Sequence, residues 1–485
     1  MMGIQEQPQG KLFYTNINLE KRVRANHPLR RIDQLIDFDF TYNDVADKYG
    51  NNGQVSVPPP VILKLMLLLL FYNVRSEREL MTTLPERLDW LWFLGFDFDS
   101  NIPDHSVLSK ARARWGVEVF KSFFERIVFQ CVQAGLVDGR KIFMDSSLID
   151  ADASNNSVID MKALKNQVHK NYKELEARLE ERNADSAQTV NKRYISTTDP
   201  DASIVRRGNP KLRYQVHRAV DEAHEVITAT EATSGDVNEA HRLEALIDQH
   251  NAVTDKTADT IVADSKYGTI DNFLACHDRG VQAHMPDLGK AAKKRNRKTN
   301  IFTEDHFRYD PDQDVYICPK GQQLKRKTLH PKRSSIDYGA PKKACSVCDI
   351  RDQCTKNKSG RTVKRHLRHE ELEQMRSAAK SAKSKRDIKT RQHLMERSFA
   401  QAKRYGFDRA RWRGLWRMHI QEYLICAIQN IQILANHGAI PKCSPAIAIR
   451  QVKATISKIN GRIKAFSASI SAKIYGYKIS QLTPC

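Results

Sequence analysis

From His27 onward, apolar residues recur at helical spacing. The stretches RRIDQLIDFDF, PPPVILKLMLLLLFYNV, SERELMTTLPERLDWLWFLGF and HSVLSKARARWGVEVFKSFFERIVFQCVQAGLV are punctuated by Pro, Gly and Asp, and they predict a run of helices over 27–137. Ser76 followed by Glu79 has capping-box spacing, and His105-Ser106 behind Pro103-Asp104 opens a further helix. The longest apolar run, VILKLMLLLLF at 61–71, is interrupted by Lys64 and falls short of the roughly 20 residues that span a bilayer. It predicts a buried helix and no membrane partner.

After Asp138-Gly139 the period changes. KIFMDSS reads as a short strand ending at Asp145. Residues 158–182 place Met161, Leu164, Val168, Tyr172, Leu175 and Leu179 on one helix face. RYQVHRAVD at 213–221 and EVITATEAT at 225–233 are rich in β-branched residues and predict a hairpin. Asp236 with Glu239 then reads as the cap of a helix, DVNEAHRLEALIDQHN. TIVADSKYGT at 260–269 returns to strand character, and TIDNFLACHDRG to helix. That order predicts a mixed sheet with helices, an α+β or α/β fold.

Further on, KAAKKRNRK at 290–298 is a solvated basic segment, either a linker or a DNA contact. Cysteines cluster from 318 to 354 as two short loops. A helical region resumes near 367 and runs to Gly438, a C-cap by type. The expected organisation is a flexible N-terminus (1–26), a helical domain (27–137), and the first part of a mixed-sheet domain (138–289) with a helical insert (153–212). A basic, Cys-rich insertion (290–366), closing helices (367–440) and a basic tail (441–485) complete it.

Composition sharpens this picture. A chain of 485 residues exceeds the usual reach of one hydrophobic core, so two or three structural units are expected. Lys and Arg number 79 against 57 Asp and Glu, a net charge of +22, which favours a polyanionic partner, nucleic acid first. The N-terminal residues show no basic start followed by an apolar stretch, so a cytosolic compartment is expected.

Asp145 and Asp264 each follow an apolar stretch, KIFM and TIVA, which places both at the C-terminal ends of strands, the edge of an open sheet where ligands bind. Two such carboxylates can share Mg²⁺ or Mn²⁺, hard ions suited to oxygen ligands. A two-metal phosphodiester site needs a third acid. Glu396 supplies it from a helix on which Met395, Phe399 and Ala402 share the apolar face, with Glu396 at its edge and Lys403 seven positions on. Taken singly, each acid also reads as a turn residue or a surface ion-pair partner. A two-carboxylate glycosidase explains neither the charge nor the third acid.

The order Asp145, Asp264, Glu396 on strand, strand and helix resembles the Asp-Asp-Glu (DDE) transposases of bacterial insertion sequences. HPLRRIDQLIDFDF, PPPVILKLMLLLLFYNVRSERELMTTL, WFLGFDFDSNIPDHSVLSKARAR, STTDPDAS and MERSFAQAKRYGFDRARWRG resemble one subgroup of these, across roughly residues 20–440. The resemblance implies a ribonuclease H-like catalytic domain, and Asp145, Asp264 and Glu396 as ligands of Mg²⁺ or Mn²⁺. It further implies excision and integration of an element at its terminal inverted repeats, action on target DNA as a homodimer, and a cytoplasmic, nucleoid-associated location. Gln392 stands where that subgroup carries an arginine, with Arg391 beside it. A DNA-binding descendant that has lost its chemistry is the alternative reading.

Cys318, Cys345, Cys348 and Cys354, in YICPKGQQL and ACSVCDIRDQC, offer four soft ligands for a structural Zn²⁺, and CPKG has the form of a knuckle turn. A reduced thiol cluster is the alternative. The subgroup carries a Cys-rich insertion at this position. Cys131, Cys276 and Cys426 read as core residues. DNA contacts are expected from Arg206 and Arg207, from Lys403, Arg404, Arg411 and Arg413 around the glutamate helix, where aromatics are interleaved, and from Lys110, Arg112 and Arg114 pointing outward from a recognition helix. The alternative puts the aromatics in the core and leaves the arginines solvated.

Overall fold

Strands β1 (Lys141–Asp150), β2 (Lys211–Asp221), β3 (Ile227–Ser234), β4 (Thr260–Val262) and β5 (Gln282–His284) form one mixed sheet in the order β3-β2-β1-β4-β5, with a sixth short strand, Ser203–Val205, paired to the start of β2. The structure is a computed structural model, and it describes residues 2, 18–50, 52–160, 194–206, 209–289 and 301–438. The expected helix beyond Asp160, the basic segment 290–298, Arg207 and the tail 441–485 lie outside the described residues. Met1–His437 form one unit.

β1 pairs antiparallel with β2, and β2 with β3, whereas β1-β4 and β4-β5 are parallel. With helices on both faces, this is a ribonuclease H-like α+β arrangement. Successive strand residues point to opposite faces, and the sheet therefore feeds two cores. Phe143, Val216, Val220 and Val262 belong to one core, which they share with the N-terminal helices and α7 (Leu415–His437). Ile142, Met144, Ala219, Ile261 and Ala263 belong to the other, built with α3 (Leu243–Thr254), α4 (Ile270–Asp278) and α5 (His369–Ala378).

The apolar run at 61–71 is α1 (Pro59–Phe71), buried on every side as a helix without a polar face must be. Lys64 is accommodated because its ammonium donates to Asp33 at 2.8 Å and to the Phe93 carbonyl at 2.9 Å. Ser76 caps its helix as the spacing predicted, accepting from the Glu79 amide at 3.1 Å. The segment after Pro103-Asp104 becomes α2 (Ser106–Gln133), kinked at Gly116, whose φ of 73° is left-handed.

Two charged residues inside this fold lock α7 to the sheet. Arg218 of β2 donates to both Glu422 oxygens, at 2.6 and 3.1 Å, and to Gln429 at 3.1 Å. Glu422 also accepts from the Thr230 hydroxyl of β3 at 2.9 Å. The STTDPDAS stretch holds the opposite end of the helix. Asp199 accepts from the Tyr214 hydroxyl at 2.6 Å and the Gly414 amide at 3.2 Å, and Asp201 accepts from the Leu415 amide at 2.8 Å.

Three expectations are corrected. β1 does not end at Asp145 but continues to Asp150, because β2 pairs with it along its whole length while β4 matches only residues 141–143. Val158–Asp160 is a strand paired with Tyr194–Ser196 rather than the start of a helix. The Cys-rich segment is a five-stranded antiparallel sheet, not two short loops. Its strands β6 (Arg308–Asp310), β7 (Val315–Ile317), β8 (Gln323–His330), β9 (Ser335–Gly339) and β10 (Thr362–His366) close over their own core of Phe307, Tyr316, Leu324, Ile336, Tyr338 and Val363.

Candidate active site

The register of the parallel pair positions the first two acids. Phe143 of β1 stands beside Val262 of β4, so two residues further along each chain Asp145 and Asp264 come level just where the β4 ladder has ended. Asp145 Oδ1 accepts from the Ser146 amide at 2.9 Å, and Asp264 Oδ1 accepts from the Lys266 amide at 2.9 Å. Both carboxylates are thereby oriented by their own backbone.

A third carboxylate enters from the helical side of the second core. Glu239, just ahead of α3, has only 4% of its surface exposed and accepts from the Ser146 hydroxyl and the Lys266 ammonium. Gln215 in turn donates to the Ser146 hydroxyl at 2.7 Å. The cap of this helical segment is Asn238, whose side chain accepts from the Ala240 amide, which leaves the Glu239 carboxylate for the site. Tyr267 completes the floor. Its hydroxyl is fully buried and has no hydrogen-bond partner among the described residues.

Electrostatics follow from this packing. Burial pushes the Asp145 carboxyl above its usual range, the Arg391 guanidinium opposes that, and the charges of Asp264 and Glu239 add to it. Burial drives the Tyr267 hydroxyl well above its ordinary value, with Glu239, Asp145 and Asp264 reinforcing the effect. The acids therefore form one negative cluster, compensated by Arg391 and Lys266.

Glu396 lies elsewhere on its helix, α6 (Ala382–Lys403). Met395, Phe399 and Ala402 are buried as the helical wheel predicts, but the edge turned to the sheet carries Asp387 and Arg391. Asp387 accepts from Lys141 at 3.3 Å and contacts His284 at 2.6 Å, and the Arg391 guanidinium is 2.7 Å from Asp145. Glu396 is exposed and accepts from Gln392 at 3.3 Å. Lys403 pairs with Asp408 at 3.5 Å. Asp150 and Asp152 are ordinary ion-paired carboxylates, the former with Lys211 and Arg213, the latter with Arg409 and Arg413.

Two family descriptions match the chain, "Transposase domain (DUF772)" over residues 17–114 and "Transposase DDE domain" over residues 317–435. The chain carries two transposase domains, and these matches support an insertion-sequence transposase of the DDE type. The first match covers the N-terminal helices up to the kink in α2, and the second runs from the Cys-rich sheet through Glu396 into α7. No curated protein and no solved structure matches it.

The transposase keeps some of its expected DNA-contact residues on the surface. Lys110, Arg114, Arg206, Arg404 and Arg413 are exposed. Arg112 corrects the expectation of an outward face, since it is 2% exposed, pairs with Glu77 at 2.5 Å and lies over the Trp412 ring at 3.9 Å. Arg411 is likewise turned inward, donating to the Val74 carbonyl at 2.5 Å and to Asn73. Tyr405 and Phe407 are core residues.

In the transposase's insertion, the four expected ligands share one neighbourhood. The Cys318 thiol accepts from the Gln322 amide at 3.3 Å inside a turn in which Gly321 donates to the Cys318 carbonyl at 2.8 Å. Cys354 is nearly buried, and burial raises its thiol, with Cys345, Cys318 and Cys348 close enough to add to the shift. Among the described residues, the group of three candidate ligands with donor atoms within 4.8 Å of one another is His277, Asp278 and Glu371. Arg368 bonds to both acids of that group, which makes it an ion-pair cluster. The acids around Asp145 and the four sulfurs are both spread more widely than that. Cys131, Cys276 and Cys426 are buried, as expected of core residues.

Proposed function

We propose that this transposase excises and integrates its element by metal-dependent phosphodiester hydrolysis followed by strand transfer, with Asp145 and Asp264 as the fixed ligands and Glu396 as the third acid. The observation that carries this reading is the level placement of Asp145 and Asp264 at the point where β4 stops. The residues suit Mg²⁺ or Mn²⁺, since the donors are oxygens and the buried Tyr267 hydroxyl beside them lacks a partner among the described residues. When bound, such ions activate a hydroxyl nucleophile and stabilise the leaving oxygen. Asp145 is held for that task by the Ser146 amide, and Asp264 by the Lys266 amide. Arg391 pairs with Asp145, and on this reading Glu396 reaches the site when an element end binds.

On this reading the DNA partners are the terminal inverted repeats and the target, met by a dimer in the bacterial nucleoid. No helix among the described residues is long and apolar enough to cross a membrane. Lys110, Arg114, Arg206, Arg404 and Arg413 would meet phosphates, which position the duplex without reading it. The four cysteines would hold a structural Zn²⁺, a staple suited to an insertion with so small a core.

The test is excision from a supercoiled plasmid carrying the element ends. Asp145→Asn, Asp264→Asn and Glu396→Gln should each abolish it. The contact between Arg391 and Asp145 and the exposed position of Glu396 favour a second reading, a DNA-binding protein without chemistry. Binding of the ends without any metal-dependent cleavage by the wild-type chain would select that reading.

A further inference from the structure

We propose that Glu239 is a metal-site carboxylate of this transposase, standing with Asp145 and Asp264 on the sheet side of the centre. The proposal rests on the reading of Asp145 and Asp264 as metal ligands and extends it to a residue outside the Asp-Asp-Glu order.

Three observations converge on it. Glu239 is bonded to a residue beside each proposed ligand, accepting from the hydroxyl of Ser146, the neighbour of Asp145, and from the ammonium of Lys266, two residues beyond Asp264. It is 4% exposed, and a carboxylate is retained at such depth only where it has partners of opposite charge. Lys266 is that partner here, but its side chain is 48% exposed and free to swing outward on its flexible stem. The third observation points to a ligand. The Tyr267 hydroxyl is fully buried, is acted on by Glu239, Asp145 and Asp264 together, and has no hydrogen-bond partner among the described residues. A buried hydroxyl without a partner is uncommon in a finished structure, and a hydrated cation among the three acids would bring water that donates to its oxygen.

Arg391 rests on Asp145 from one face of the sheet, and Lys266 on Glu239 from the other. Each neutralises one wall of a cluster that oxygen-seeking divalent ions would otherwise neutralise. Two ions about 3.5–4 Å apart need ligands on more than one side. The purely structural alternative makes Glu239 a partner of Lys266 and nothing more.

Mn²⁺ titration of the full-length protein without DNA separates the two, read by calorimetry and by the shift in melting temperature. Glu239→Gln should weaken Mn²⁺ binding at least tenfold, and Lys266→Met, which releases the Glu239 carboxylate, should preserve or tighten it. The proposal is overturned if Glu239→Gln binds Mn²⁺ like the wild type while Asp145→Asn does not. It is equally overturned if Lys266→Met lowers the melting temperature of the metal-free protein and also weakens Mn²⁺ binding. Should Glu239→Gln fail to fold, the Lys266→Met result decides alone. Unchanged Mn²⁺ binding by Asp145→Asn would instead remove the metal reading on which the proposal rests.

Discussion

Replacing Glu422 with Gln should be among the most damaging single changes in the molecule. The Arg218 guanidinium is 0% exposed and its partner Glu422 1%. Gln keeps the shape and one acceptor but leaves the full charge of Arg218 uncompensated in a dry interior. Breaking one side of a buried pair costs about 3–5 kcal/mol. At about 2 °C per kcal/mol, the lower figure for large domains, melting falls by roughly 6–10 °C. The loss should reach the site as well, because Arg218 is the cross-strand partner of Asp145. The control is the double change Arg218→Met with Glu422→Leu, which removes both charges and should melt close to the wild type, since apolar replacement of a buried pair is often neutral. Thermal melts followed by circular dichroism make the comparison. If Glu422→Gln melts within a degree of wild type, or the double variant falls as far as the single, the pair is not what holds α7 to β2 and the reasoning fails.

Acid sensitivity has a specific source in His217, which burial lowers from the ordinary 6.5 to about 3. Below pH 6.5 the unfolded chain takes up this proton and the folded chain refuses it, so the stability present above that pH drains away toward pH 3, by about 2 kcal/mol at pH 5. A His217→Gln protein should show a shallower fall in melting temperature between pH 6.5 and 4.5, and an identical slope would remove His217 as the cause. Lys110→Ala and Arg114→Ala should each reduce the salt dependence of end binding by roughly one unit of slope, whereas Arg112→Gln should lower the melting temperature and leave that slope alone. Fluorescence anisotropy at several salt concentrations reports both. Purified protein should carry about one equivalent of zinc, and Cys345→Ser with Cys348→Ser should lose it and expose the 301–366 sheet to protease. Equal protease resistance in that variant would leave the cysteines without a structural metal.

What could be read from the sequence depended on whether a residue's surroundings were local. The hairpin at 213–233 and the all-apolar helix at 59–71 declared themselves because strand alternation and continuous burial are written along the chain. The insertion sheet did not, because Leu324 is the one buried residue in β8 and an exposed strand of Lys, Arg and Thr looks like a loop. Glu239 was concealed by its position, three residues after Asp236, which imitates a capping box. The cap is Asn238, and only the fold reveals that the carboxylate turns toward Ser146. The wheel of α6 placed Glu396 beside the apolar face correctly, but a wheel has two edges. The sheet took the edge with Asp387 and Arg391, a choice made by Lys141 and His284 far away in sequence. Arg112 went inward for the same kind of reason, since Trp412 covers it from the distant loop after α6.

Joining of a pre-cut element end tests the chemistry most directly, because it bypasses excision and isolates the transfer step. An oligonucleotide duplex ending in a free 3′-hydroxyl is incubated with target plasmid, protein, and either Mg²⁺ or chelator. The account predicts covalent joining by the wild-type transposase with Mg²⁺, none with chelator, and none by Asp145→Asn or Asp264→Asn at wild-type levels of DNA binding. Joining by either aspartate variant, or in the presence of chelator, would contradict it.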